Sequence, residues 1–204
     1  MKKKLIASGS VLLALTLGAT LVTDVAAQDK GGKGGGAPKQ PPTPGMALSS
    51  PDFQDGGIIP DKFTQAAGPT SPSPKLEWTN VPMGTMSFVL IMHDPDNALN
   101  KTPDDVLHWM VFNIPGTARG LAGGQPTDAK LADGTIQAKG IRNVGYMGPG
   151  NAAINPYHHY TLELYALDSM LTLGPDATRA DVMTAMTGHI VGKAVLVGRF
   201  KRPA

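Results

Sequence analysis

Residues 106–116 read Val-Leu-His-Trp-Met-Val-Phe-Asn-Ile-Pro-Gly, and this stretch decides the class of fold. The run from Val106 to Asn113 is apolar except for His108 and Asn113, and the Pro-Gly pair at its end stops it. A short apolar run bounded by turn residues is typical of a strand buried on both faces. We therefore predict a β-strand here.

The chain around this run contains further strand candidates. With 25 Gly and 18 Pro in 204 residues it is rich in turns, and 41% of it is apolar, enough for a core. Continuous apolar runs or period-two alternation predict strands at 88–93, 160–166 and 194–200, with shorter ones at 47–50 and 75–78. The pattern predicts an all-β, sandwich-like domain over residues 46–204.

One helix is predicted near the C-terminus. Thr178 and Asp181 resemble a capping box, in which two side chains satisfy free backbone N–H groups at the helix start. Apolar residues and one histidine follow at helical spacing, at Val182, Ala185, Met186 and His189. Gly188 and Gly192 are expected to help end the helix.

The first 45 residues are predicted to lie outside the domain. Lys2, Lys3 and Lys4 precede an apolar run, and small residues at 25–27 suit a signal peptidase, so residues 1–27 are predicted to be a signal peptide cleaved after Ala27. The alternative is an uncleaved membrane anchor. Residues 28–45, rich in Gly, Pro and Lys, are predicted to be a disordered linker. These features predict an exported protein, periplasmic or secreted.

Charge and cysteine content exclude some functions. The chain has 18 Lys+Arg and 16 Asp+Glu, and removal of three Lys and Asp24 with residues 1–27 leaves 15 of each. A neutral domain gives little support for nucleic-acid binding. The absence of cysteine rules out disulfides and thiol catalysis. It also rules out lipid attachment at the cleavage site, so we expect no stable membrane insertion after cleavage.

Three clusters of polar residues could carry chemistry, although each also has an ordinary structural explanation. Asp94 and Asp96 follow a predicted strand, where they bind a ligand or merely cap local turn amides. His108 interrupts an apolar strand and is either a hydrogen-bonded core residue or a pocket wall. A Gly/Pro-rich loop, 148–157, leads into His158 and Tyr160, which share one strand face while His159 points away. Loop amides, imidazole N–H and phenol O–H groups are donors that suit an anion or a phosphate ester.

The order and flanks of these clusters resemble the phosphatidylethanolamine-binding protein family, closest to its bacterial Raf kinase inhibitor-like branch. The resemblance covers about residues 47–202. The similar strings are Asp94-Pro-Asp96, His108-Trp-Met-Val-Phe-Asn-Ile-Pro115, Gly148-Pro149, His158-His-Tyr160, Leu164-Tyr-Ala-Leu-Asp168, Leu76-Glu-Trp-Thr-Asn-Val-Pro82 and Gly192-Lys-Ala-Val-Leu-Val-Gly-Arg-Phe200.

The resemblance implies a sandwich of two antiparallel sheets, with one or two short peripheral helices and a small cavity that binds phosphate, acetate or a phosphoethanolamine head group without turnover. Carried over by motif, the implied ligand-binding residues are Asp94, Asp96, His108, Gly148, Pro149, His158 and Tyr160. Three departures bear on the ligand. Asn97-Ala98 replaces a small residue and proline, the loop reads GPGNAAINPY, and His159 stands where arginine is usual, which loses a fixed cation.

The leading hypothesis is therefore non-catalytic binding of a small anion or phospholipid head group, tighter below about pH 6.5, where histidine gains charge. An alternative is a protein-interaction module of the kinase- or protease-inhibitor kind, with an unknown protein partner. A metal-dependent hydrolase using Asp94, Asp96, His108 and His158 is the least favoured hypothesis. The chain has no H-E-x-x-H, G-x-S-x-G or P-loop motif, and no cofactor or metal is expected.

Overall fold

A computed structural model describes residues 44–204. The predicted signal peptide, and the linker up to residue 43, lie outside the described residues. Between residues 44 and 204 the chain forms nine strands, one α-helix (α1, Arg179–Met186) and two 3₁₀ turns (Asp61–Phe63 and Leu99–Lys101). The strands are β1 (Ala47–Ser49), β2 (Gly57–Ile58), β3 (Leu76–Thr79), β4 (Ser87–Asp94), β5 (Val106–Pro115), β6 (Gly120–Leu121), β7 (Ile136–Ala138), β8 (His158–Leu167) and β9 (Ile190–Phe200).

The strands form two sheets, as expected for the predicted sandwich. The small sheet has the order β1-β3-β6, and the large sheet has the order β2-β9-β8-β4-β5-β7. All pairs are antiparallel except β2 with β9, which pair in parallel through Gly57 and Ile58. The prediction of two antiparallel sheets is thus confirmed apart from this two-residue edge contact.

The large sheet is covered on both faces. Between the two sheets, Trp78 of β3 packs against Phe88 of β4, with ring centroids 5.1 Å apart. On the outer face, Val182 and Met186 of α1 pack with Val89 and its buried neighbours. Burial on both sides explains why β4 and β5 read as continuous apolar runs rather than as alternating patterns.

The helix begins as predicted but is shorter. Thr178 Oγ1 accepts from the N–H of Asp181, and the Asp181 carboxylate accepts from the N–H of Thr178, which completes the capping box. His189 was expected on the helix and is not, because Gly188 adopts a φ of +85° and turns the chain into β9. Gly192 was expected to help end the helix and instead lies within β9.

No helix among residues 44–204 has the length and apolarity needed to cross a bilayer.

Candidate functional site

The ends of three neighbouring strands bring the predicted polar residues together. Asp94 ends β4, His108 lies near the start of β5, and His158 and Tyr160 lie at the start of β8. Because β4 pairs antiparallel with both β5 and β8, these strand ends lie side by side at one end of the large sheet. Regular strands therefore position four side chains that are far apart in sequence.

A β-bulge aims His108 toward this site. Met92 pairs with Trp109, whereas the next residue, His93, pairs with Leu107, so His108 is the extra residue in β5. Leu107 consequently packs on the outer face, and Trp109 packs in the core between the sheets. A bulge re-aims a side chain in this way. Strict alternation would have placed His108 on the face opposite Trp109.

Asp94 is buried, and each of its two carboxylate oxygens has a hydrogen-bond partner. Its Oδ2 lies 2.9 Å from Nδ1 of His158, and its Oδ1 accepts from the N–H of Asp96 at 3.1 Å. The second contact is the local turn that was weighed as the ordinary alternative for Asp94. The local turn is therefore present, and it uses one carboxylate oxygen while the other orients His158.

Hydrogen-bond partners determine which nitrogen of each pocket histidine carries the proton. Nδ1 of His108 lies 2.9 Å from the carbonyl oxygen of Met147, which can only accept, so Nδ1 must donate. By the same argument Nδ1 of His158 donates to Asp94. Each neutral ring therefore leaves Nε2 as an acceptor. The expectation that neutral imidazoles donate to an anion is corrected, since Nε2 donates only after protonation.

Burial sets the protonation of two of these groups. It lowers the pKa of His108, partly offset by the carbonyl of Met147 and the charge of Asp94, so the ring is neutral near pH 7. Burial also raises the pKa of Tyr160, and the charge of Asp94 raises it further, so its hydroxyl keeps its proton. The Tyr160 ring meets His108 edge-on, with centroids 5.1 Å apart. Tyr160 thus provides a permanent O–H group.

These side chains line a cavity of about 410 Å³. Asp94, His108, His158 and Tyr160 all contribute, so the structure brings together four of the seven predicted residues. Five polar side chains that were not predicted also line it: Gln65, Asn97, Arg142, Asn151 and Asn155.

Arg142 is the most informative of the missed residues. Its side chain is exposed at the cavity wall and has no ion-pair partner within residues 44–204. Its charge contributes to the lowered pKa of His108. The cavity therefore has a guanidinium although His159 occupies the position where arginine was expected. A lone arginine in an irregular loop has no pattern that sequence analysis could have detected.

Asp96 does not line the cavity. Its Oδ2 accepts from the backbone N–H of His159 at 2.6 Å and lies 2.8 Å from Nδ1 of the same residue. Burial raises its pKa, but the hydrogen bonds from His159 outweigh this and leave the pKa below its ordinary value. Asp96 and His159 thus clamp the β4–β5 loop to the start of β8, outside the predicted ligand site.

Gly148 and Pro149 also lie behind the cavity wall rather than in it. Gln65 holds this loop, because its N–H donates to the carbonyl of Pro149 at 2.8 Å and its Nε2 to that of Gly148 at 2.9 Å. A Cβ at Gly148 would lie 2.7 Å from the carbonyl oxygen of Phe63 and 2.9 Å from Cα of Thr64. Glycine is required here by close packing, and its role is to position the wall.

The following loop is braced internally. Asn155 Nδ2 donates to Oδ1 of Asn151 at 2.8 Å, and Nδ2 of Asn151 donates to the carbonyl of Pro156 at 2.6 Å. The N–H of Arg202 donates to the carbonyl of Asn151 at 3.0 Å, which ties the C-terminal segment to this loop. The unusual GPGNAAINPY segment therefore forms a defined wall.

Within residues 44–204, no group of three or more His, Asp or Glu side chains is placed to hold a metal ion.

The protein is thus a two-sheet β-sandwich. It has a small polar cavity, of the size of a small ligand, at the strand ends of the large sheet. The chain belongs to the phosphatidylethanolamine-binding protein family, whose sequence profile matches residues 49–201. The family resemblance noted from the motifs is thereby confirmed.

Several relatives support this assignment. A UPF0098 protein of Methanothermobacter thermautotrophicus is 38% identical over 159 residues, which is 77% of this chain and 99% of the relative. The crystal structure of CT736, a homologue of phosphatidylethanolamine-binding proteins from Chlamydia trachomatis, matches with a TM-score of 0.66 and 29% identity, covering 78% of this chain and 99% of that one. Escherichia coli YbcL has the same fold, with a TM-score of 0.66, 23% identity and coverage of 78% and 99%.

Proposed function

We propose that this protein binds a small anion or a phosphorylated head group in its cavity, without converting it chemically. The observation that carries the proposal is Arg142, which has no ion-pair partner within residues 44–204 and lies at the wall of a cavity that also contains the Asp94–His158 pair, His108 and Tyr160. A guanidinium and a phenol O–H that line the same cavity offer donors to a negatively charged group.

The proton positions favour a guest that carries a proton of its own. When the rings are neutral, Nε2 of His108 and Nε2 of His158 are acceptors. Monohydrogen phosphate can donate its P–OH to such a nitrogen while its other oxygens accept from Arg142 and Tyr160, and phosphoethanolamine can donate from its ammonium group instead. Sulfate has no proton to donate near neutral pH and meets the lone pairs directly. The cavity should therefore prefer phosphate to sulfate.

Isothermal titration calorimetry with phosphate, phosphoethanolamine and sulfate at about pH 7.5 and about pH 5.5 tests the proposal. Phosphate and phosphoethanolamine should bind more tightly than sulfate at the higher pH. All three should tighten at the lower pH, because a guest that favours imidazolium takes up a proton on binding. Equal affinities for phosphate and sulfate at both pH values, with no dependence on pH, would contradict the proposal.

An arginine pair provides the control. Arg142→Ala should weaken phosphate binding by about tenfold, as expected for one charge-assisted hydrogen bond. Arg119→Ala should leave the affinity unchanged, because Arg119 lies beyond the far end of β5 and bonds the carbonyls of Gly116 and Ala118. Equal losses in the two variants would show that the effect is one of overall charge.

We further propose that the domain acts outside the cytoplasm after cleavage at Ala27. The charged and apolar segments of residues 1–27 support this, and a relative from Mycobacterium tuberculosis, 32% identical over 157 residues, bears a lipoprotein name, LppC. Mass spectrometry of protein recovered from the producing cell should give Gln28 as the first residue. A first residue of Met1 would contradict cleavage.

A further inference from the structure

A second cavity, of about 550 Å³, lies next to a segment of the chain that also contributes to the first. Met147 of this segment lines the first cavity, and it is bonded to His108 through its carbonyl oxygen at 2.9 Å and its N–H at 3.1 Å. The preceding residue, Tyr146, lines the second cavity. No residue lines both cavities, so the second is a separate space, and its volume is within the range of small-molecule sites.

Hydrogen bonds between loops hold the shape of the second cavity. The N–H groups of Gly124 and Gln125 donate to Ser73, one to its carbonyl oxygen at 2.9 Å and the other to its hydroxyl at 3.0 Å. The hydroxyl of Tyr146 donates to the carbonyl oxygen of Phe63 at 2.7 Å. The loops that form the cavity are residues 69–73, 124–127 and 143–146.

The side chains that line the second cavity differ in chemistry from those of the first. None of them is charged, whereas the first cavity contains Asp94, Arg142 and two histidines. Tyr146 provides an aromatic side chain. The polar side chains of the lining carry hydroxyls or amides and belong to Thr70, Ser71, Ser73, Gln125, Thr127 and Asn143. These groups can both donate and accept hydrogen bonds.

Several of these polar groups can reach a bound molecule. Thr70, Thr127 and Asn143 are exposed at the rim of the cavity. The Oγ of Ser71 is buried and has no hydrogen-bond partner within the described residues. A rotation about its Cα–Cβ bond that turns this hydroxyl toward a guest would therefore break no existing hydrogen bond.

We propose that the second cavity binds a neutral, hydroxyl-rich ligand of the sugar class. Sugar hydroxyls donate and accept, as the hydroxyls and amides of the lining do, and sugar C–H groups can pack on Tyr146. A charged guest would lose hydration without gaining a counterion from the lining. An extended peptide would lack a strand edge to pair with, because none of the lining residues belongs to a strand.

An NMR titration that follows the backbone amides tests both the place and the chemistry of binding. The neutral probes are glucose and N-acetylglucosamine, and the charged analogues are glucosamine and glucuronate, all at about pH 6, where the amine is protonated. The neutral sugars should shift amides in residues 69–73, 124–127 and 143–146. Both charged analogues should bind at least about tenfold more weakly than glucose.

A threonine pair provides matched variants. Thr127→Ala removes a hydroxyl from the lining and should weaken glucose binding by about threefold to tenfold, as expected for one neutral hydrogen bond. Thr172→Ala should leave glucose binding unchanged, because Thr172 is exposed, does not line the cavity, and follows Leu171 of the outer face. Both variants should retain phosphate affinity in calorimetry, because neither residue lines the first cavity.

The sugar proposal would be overturned if neither neutral sugar shifted these amides, or if the charged analogues bound as tightly as glucose. Shifts confined to Asp94, His108 and His158 would place the sugar in the first cavity and would also overturn it. Equal losses of glucose affinity in the two threonine variants would do the same. A failure of phosphate to bind would leave the sugar site standing, because the two cavities share no lining residue.

Discussion

At the end of β4, each face of the large sheet carries a histidine–aspartate pair. Within residues 44–204, only the pair that faces the small sheet lies in a cavity whose wall has a cation without an ion-pair partner. His93 and Asp94 are consecutive at the end of β4 and point to opposite faces. Toward the small sheet, Asp94 pairs with His158 at 2.9 Å; on the outer face, His93 pairs with Asp105 at 2.5 Å. We call the outer group, His93, Asp105, Glu163, Arg179 and Lys193, the outer cluster.

Charge is balanced within the outer cluster. Asp105 also accepts from Arg179, and Glu163 accepts from Lys193 at 2.6 Å. Burial raises the pKa of Glu163, but the bonds from Lys193 and Tyr165 outweigh it and leave the pKa below its ordinary value. The cavity, by contrast, has Arg142 without a counterion in the described part of the chain. A histidine–aspartate pair by itself therefore does not distinguish the two faces, whereas a cation without an ion-pair partner among the described residues, beside a cavity, does.

The largest effects are expected from removing one aspartate charge on each face. Asp94→Asn should weaken phosphate binding by about a hundredfold, because it removes the carboxylate that accepts from Nδ1 of His158 and holds that ring in place. Asp105→Asn should leave the affinity within about twofold, yet lower the free energy of unfolding by about 1–3 kcal/mol by leaving Arg179 without its carboxylate. Calorimetry and urea unfolding measure the two quantities. A loss of phosphate affinity in Asp105→Asn would contradict the separation of the two faces.

Sequence patterns predicted the strands that carry the site better than the loops that form the cavity wall. Apolar runs located β4, β5, β8 and β9, and strand alternation correctly placed His158 and Tyr160 on one face. The very short strands β2, β6 and β7 were missed, because two or three residues carry little periodic signal, although β1, which also has three residues, was predicted. The predicted start of β9 was also late, since the strand begins at Ile190 rather than at Ala194.

The direction of the His108 side chain and the form of the cavity wall could not have been predicted. The bulge that turns His108 depends on pairing between β4 and β5, which no single strand reveals. Gly148 and Pro149 were expected to contact the ligand, but their packing against residues 63–65 is a long-range contact with no local pattern. For the same reason the proton positions of the two rings became clear only once their Nδ1 partners were known.

The next largest effect tests whether the loop behind the cavity positions its wall. Gly148→Ala should weaken phosphate binding by about tenfold, because the new Cβ meets backbone atoms of Phe63 and Thr64 closer than 3.0 Å and must displace the loop. Gly174→Ala is the matched control, since a Cβ there has no neighbour within 4 Å. Calorimetry of phosphate binding to both variants tests this prediction. An unchanged affinity in Gly148→Ala would show that the loop yields without moving the wall.

A smaller effect concerns the pH dependence of stability. Burial lowers the pKa of His108, so the unfolded chain binds more protons than the folded one between the lowered pKa and the ordinary value of 6.5. The contribution of His108 to stability should therefore fall as pH drops through 6.5, by up to about 1.4 kcal/mol per pH unit. His108→Gln keeps a donor for Met147 but cannot titrate.

The difference in free energy of unfolding between wild type and His108→Gln should decrease toward acid. Urea unfolding without ligand, across about pH 5 to 7.5, measures this difference. A difference that stays constant with pH, or that grows toward acid, would mean that the ring is not held neutral. Subtracting the variant removes the contributions of the four other histidines, including His93 in the outer cluster, which both proteins share.

The smallest effect tests whether the outer face can weaken without disturbing the cavity. Thr178→Ala removes the side-chain cap of α1, whose Oγ1 accepts from Asp181, and should cost about 0.5–2 kcal/mol. Val182 and Met186 of this helix pack on the outer face of the large sheet, opposite the cavity. Thr178→Ser, which keeps a hydroxyl cap, should restore most of the stability. Phosphate affinity should be the same in wild type and both variants. The core between the two sheets also holds the strands that position Asp94 and His158, and the substitution leaves this core intact. A parallel loss of affinity and stability would mean that the helix helps to set the strand ends, and that the two faces of the sheet act as one unit.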